Sequence, residues 1–161
     1  MSSSSSKNDP VALHGWTAVP VDAAAILQDR PYLHEPRPLL VADIKFPSDD
    51  PIVARVQQYA KEKLPPQTYN HSMRVFYWAT TILTQQFPSH ASLSASTLAL
   101  TCLLHDIGTT THNLHATRMS FEFHGAILAL NLLQSHSSPR HSLKQSVKPS
   151  SGTKISASSA A

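Results

Sequence analysis

The chain has 161 residues, a formal net charge of +3 and one cysteine, Cys102. That length gives a single domain room for a real core but leaves no room for two. The charge excess comes largely from Arg140, Lys144, Lys148 and Lys154 in an acid-free, Ser-rich stretch, which gives no ground for nucleic-acid binding, and one cysteine excludes an intrachain disulfide.

Met1 to Lys7 leads into no apolar core of signal-peptide length, and no later run approaches a membrane span. A soluble protein that contacts no membrane, cytoplasmic or nuclear in location, is therefore expected. Residues 1–14 read as a disordered leader. Residues 15–50 read as an extended N-terminal arm, because Pro31, Pro36, Pro38 and Pro47 interrupt regular structure, with one short helix near 21–28.

The pattern turns helical from 51 to 134, and four helices follow in order. The first opens on Asp49-Asp50-Pro51 and is stopped by Pro65-Pro66, an acidic cap and a proline at the start being the usual signature. In the second, His71, Val75, Trp78 and Ile82 recur at helical spacing, which predicts that this face looks into the core. The third, 92–107, is apolar nearly all round and is predicted to be the most buried element, with Cys102 as a small buried hydrophobe and Gly108 as its stop. The fourth begins near Ser120 and carries Phe123, Ile127 and Leu130 on one face. From 135 to 161, Ser, Lys and Pro replace large apolar residues, a composition that cannot bury enough to fold and reads as a disordered tail.

From Lys63 onward the only acids are Asp106 and Glu122, so each needs an explanation. Asp106 follows His105 at the end of the apolar third helix, where a carboxylate among Leu103, Leu104 and Ile107 is costly unless a cation or donors meet it. The helix dipole favours a cation at that end, and a second helix can bring His71 to the same ion. The plainer reading is a carboxylate at a frayed helix end. Glu122 also has two readings, a general base acting on water or a first-turn acid favoured by the dipole alone. His112, His115 and His124 read as loop or surface residues.

Asn70-His71-Ser72-Met73-Arg74-Val75 followed by Thr101-Cys102-Leu103-Leu104-His105-Asp106-Ile107 resembles the HD-domain superfamily of metal-dependent hydrolases. More narrowly, Thr109-Thr110, Asn113 and the run from Ala116 through Thr117-Arg118-Met119-Ser120-Phe121-Glu122-Phe123-His124 to Gly125, with Gly15 to Pro20 and Pro36-Arg37-Pro38, resemble its fungal cyanamide hydratase branch. The resemblance implies an all-α HD-domain helical bundle with one divalent transition metal, zinc or iron, at His71, His105 and Asp106. It further implies that water adds to a small nitrile, cyanamide, to give urea.

Members of that family continue with further helices and a closing Asp, whereas no acid follows Glu122 here. The expectation is therefore a bundle incomplete at its C-terminus, truncated relative to the family and impaired in turnover. Exposed helix faces are then expected to favour homo-oligomers. The alternatives are a catalytically inactive HD fragment or binding module, and an HD phosphohydrolase acting on a nucleotide. The second has no Gly-rich phosphate loop to support it.

Overall fold

The computed structural model describes residues 13–14, 22–90 and 92–137. Expectations for 1–12, for Gly15 to Pro20 and for the tail past 137 lie outside the described residues. Leu13 and His14, assigned above to a disordered leader, are held: the Leu13 carbonyl accepts the Ser94 N–H at 2.8 Å, and His14 Nδ1 lies 2.9 Å from the Thr97 hydroxyl.

The protein is all-α, with no strand among the described residues and no helix there long and apolar enough to cross a membrane. Helices α1 (Ala23–Leu27), α2 (Pro51–Lys63), α3 (Pro66–Gln86), α4 (Ala95–Leu104), α5 (Thr111–Ala116) and α6 (Phe121–Ser137) follow in order. Each start has a local cause. Asp22 caps α1, its carboxylate accepting the Ala24 N–H at 2.9 Å, within the stretch predicted for a short helix. Asp50 caps α2 through the Ile52 N–H at 3.0 Å, with Pro51 in the first turn as expected. A hydrogen bond from the Ser96 side chain, and then the one from Ile52, hold the Asp50 carboxyl below its ordinary pKa. That contact ties the start of α2 to α4.

One stripe of α2 is buried, Val53, Val56 and Ala60, with Leu64 following the helix end. Pro65-Pro66 stops α2 as predicted, but the chain restarts at once, with Pro66 opening α3. Helix α4 packs against α2 and α3, and its Ala99, Cys102, Leu103 and Leu104 are buried. It is the central element that its composition predicted. Burying a side chain such as Leu103 is worth about 2 kcal/mol. Burial also pushes the Cys102 thiol up from its ordinary pKa, so the group stays a protonated, inert hydrophobe at neutral pH.

The structure corrects three expectations. The helix α4 starts at Ala95 rather than near 92, because the Ser94 hydroxyl caps it by accepting the Thr97 N–H at 3.3 Å. It ends at Leu104, so Gly108 is not its stop. Gly108 is needed for another reason, since a Cβ there would lie 2.2 Å from the Phe121 carbonyl oxygen. The face of α3 that meets the core carries Ser72 and Phe76, whereas Trp78 is 67% exposed and Ile82 49%. Of the predicted inward stripe of His71, Val75, Trp78 and Ile82, Val75 alone packs against the core, half-buried, and the other three are exposed. Helix α6 packs through Gly125, Leu128, Ala129, Leu132 and Leu133, and the face carrying Phe123, Ile127 and Leu130 is exposed.

Two smaller differences complete the comparison. The last helix runs through Ser135, His136 and Ser137, past the predicted boundary at 134. Helix α5 went unpredicted; Thr110 caps it by accepting the Asn113 N–H at 3.2 Å.

Ser72 is fully buried on α3, and its hydroxyl has no hydrogen-bond partner among the described residues. An unpaired buried hydroxyl costs about 1–3 kcal/mol. Ser72→Ala is therefore expected to raise the melting temperature by several degrees, on the order of 1 kcal/mol of added stability. A thermal melt that falls instead would reveal a partner for the hydroxyl.

Candidate metal centre

His71 lies on the second turn of α3, and His105 caps the C-terminal end of α4. Asp106 is the second residue past the helix, at φ −103° and ψ 11°, in the bridge region where many active-site residues sit. This bend, rather than a continuing helix, sets the angle between His105 and Asp106.

The three side chains converge. Asp106 Oδ2 is 3.2 Å from His105 Nε2 and 3.7 Å from His71 Nε2. The imidazole centroids are 5.3 Å apart at an interplanar angle of 52°, so the rings are tilted and not stacked. One donor atom from each residue falls within 4.8 Å of the others, the one such His/Cys/Asp/Glu group among the described residues.

This set suits a divalent cation. His105 Nδ1 lies 2.8 Å from the Cys102 carbonyl, which can only accept, so Nδ1 carries a proton and Nε2 is the nitrogen turned toward Asp106. A backbone carbonyl fixing the far ring nitrogen is the usual partner of a metal-ligating imidazole. Two imidazoles and a carboxylate match zinc or ferrous iron about equally. Three protein donors with an open position is the arrangement of catalytic rather than structural zinc. The site is wet, with the His71 side chain 50% exposed and that of Asp106 21%.

Behind Asp106 the chain is fixed by residues whose roles the sequence reading missed. The Asp106 carbonyl accepts both the N–H and the hydroxyl of Thr109, at 2.9 and 2.7 Å. Asn113 Nδ2 donates to the Ile107 carbonyl at 2.7 Å. A polar residue three after an Asp at a helix end was the available signal.

Glu122 does not join the three donors. It lies in the first turn of α6 and lines, with His105, a groove of about 370 Å³ whose other walls include Leu100, Leu104, Ala126 and Leu133. His112 and His115 are exposed on α5, as expected of surface residues, though on a helix. His124 is not a surface residue: it is half-buried on α6, with Nδ1 enclosed and without a partner among the described residues.

No family model matches the sequence. Two curated proteins of Saccharomyces cerevisiae (strain ATCC 204508 / S288c), cyanamide hydratase DDI2 and cyanamide hydratase DDI3, are each 38% identical over 120 residues, or 74% of this chain. The chain is related to the yeast cyanamide hydratases. It spans about half the length of these curated relatives, 50% of each.

Proposed function

We propose that the protein is a metal-dependent hydratase of the HD type, acting on cyanamide to form urea, with one zinc or iron ion held by His71, His105 and Asp106. The observation that carries this reading is the convergence of the three donor atoms within 4.8 Å; the name shared by both relatives supplies the substrate. An ion held there would lower the pKa of water toward neutrality and so make it a nucleophile.

The chain's own groups supply the rest. Glu122, facing the same groove as His105, takes a proton from the water as its oxygen bonds to the nitrile carbon. It then returns the proton to the nitrile nitrogen, and the isourea so formed tautomerises to urea. The hydrogen bond from His105 Nδ1 to the Cys102 carbonyl holds that ring through the cycle. Low turnover belongs to the proposal, because half of the His71 side chain stands in water and a wet site screens the charges that catalysis relies on.

The test is urea release from cyanamide by the purified full chain supplied with zinc or iron. Hydrolysis of a nucleotide with no urea would move the reading to an HD phosphohydrolase. Glu122→Gln is expected to lower urea formation by about 100-fold or more, the scale of general acid-base catalysis, with metal content unchanged. An unaltered rate would leave Glu122 as a helix-start acid only.

A second reading, an inactive binding module, is favoured by the exposed apolar side chains of α3 and α6, Trp78, Phe123 and Leu130 among them. On that reading the chain releases no urea and sediments as a homo-oligomer that Phe123→Ser dissociates.

A further inference from the structure

A second cavity lies away from the groove of Glu122, between the N-terminal arm and α3. It encloses about 660 Å³ and is lined by Arg37, Pro38, Val41, Arg74, Tyr77 and Trp78 among others. That size is in the range of small-molecule sites.

The arm is fixed by two neighbouring glutamines of α3. Gln85 Oε1 accepts the Arg37 N–H at 2.8 Å, and its Nε2 donates to the Arg37 carbonyl at 2.8 Å. Gln86 accepts the N–H groups of Leu33 and His34 at 2.7 and 3.1 Å and donates to the His34 carbonyl at 2.9 Å. Both amides act like backbone, so one wall of the cavity is formed before any ligand arrives.

The lining contains two guanidiniums and no acid. Among the described residues neither the Arg37 nor the Arg74 guanidinium takes part in a hydrogen bond or ion pair. Of the nearby arm acids, Asp43 accepts the Leu40 N–H at 3.0 Å, and Glu35 lines an adjoining pocket rather than this cavity. Arg74 and Trp78 are four apart on α3 and so share a face. Trp78 and Val41 remain 67% and 64% exposed, which leaves apolar surface for a flat body to cover.

We propose that this cavity is a binding site for a small organic anion with a planar apolar body. Arg37 and Arg74 pair with its charged head, since guanidinium forks match carboxylate, phosphate and sulfonate oxygens. Tyr77 and Trp78 take its flat part. The site is separate from the metal centre and does not rest on the hydratase reading.

The test is calorimetric titration of the full chain with naphthalene-2-sulfonate in the presence of EDTA, with naphthalene-2-methanol as the uncharged counterpart. One sulfonate is expected to bind per chain, with cross-peaks to the Trp78 indole in NMR, and about 10-fold more tightly than the alcohol. Arg37→Gln and Arg74→Gln are each expected to weaken it about 10-fold, the scale of a hydrogen bond to a charged group. Trp78→Leu, at an exposed position, is expected to weaken it about 5-fold. Arg30→Gln, remote in the arm and bonded to Gln28, is the control and should change nothing. Equal binding of sulfonate and alcohol, or an affinity indifferent to both arginines, would overturn the proposal.

Discussion

Supplied with zinc or ferrous iron, the purified chain is expected to hold close to one ion, and His105→Ala or Asp106→Asn to lower its affinity by about 100-fold or more. The scale follows from what lies around the donors. Loss of an outer partner of a ligand typically costs about 10–100-fold in affinity, so loss of a ligand itself costs at least as much. His71→Ala should be milder, because that side chain is half exposed and water can stand in for it. Thr109→Val and Asn113→Ala, which free the turn behind Asp106, are each expected to cost about 10-fold. The check is elemental analysis after dialysis against a weak chelator. Histidine is common in this chain, at 10 residues, so the control is a pair of exposed imidazoles: His112→Ala with His115→Ala should leave the content alone. Metal retained in His105→Ala and Asp106→Asn would place the ion elsewhere and remove the basis for the hydratase proposal.

The candidate donors were legible in the sequence because residue type marks them more than orientation does. Asp106 and Glu122 stand out in an acid-poor half of the chain, and His105 is adjacent to the first of them. Caps were legible too, as Asp50-Pro51 shows. Orientation was harder. A stripe of large apolar residues is taken to face the core, yet α3 meets α4 through Phe76 packed on the small side chains Ala99 and Cys102. The larger Trp78 and Ile82 are then left outside. On α6 the close approach is made by Gly125, to Gly108, while Phe123 stays exposed. Asn113 escaped notice for a related reason: it acts on the backbone carbonyl of Ile107, six residues back, and no spacing rule points to that carbonyl.

The contact of Gly108 with α6 gives the second large effect. A Cβ on Gly108 would lie 2.2 Å from the Phe121 carbonyl oxygen, 3.0 Å from its carbon and 3.2 Å from the Gly125 nitrogen. All three are backbone atoms, so no side chain can rotate away and the start of α6 itself must move. Overpacking usually costs about 1–3 kcal/mol, with larger values where nothing yields. Gly108→Ala is therefore expected to lose about 3 kcal/mol or more, a melting temperature lower by roughly 10–20 °C at this domain size. Gly125→Ala separates this clash from a general need for glycine. Its Cβ would meet the Gly108 nitrogen at 3.3 Å, a tight contact with room to relax, and replacing a mid-helix glycine by alanine returns about 1 kcal/mol. That variant should unfold within about 1 kcal/mol of the parent. Denaturant titration of both variants decides the matter, and equal stabilities would mean that α6 is not seated on the turn after Asp106. Because Glu122 is on the turn of α6 that must move, Gly108→Ala should also impair urea formation at temperatures where the variant remains folded. The glycine then links the helix carrying Glu122 to the turn carrying Asp106.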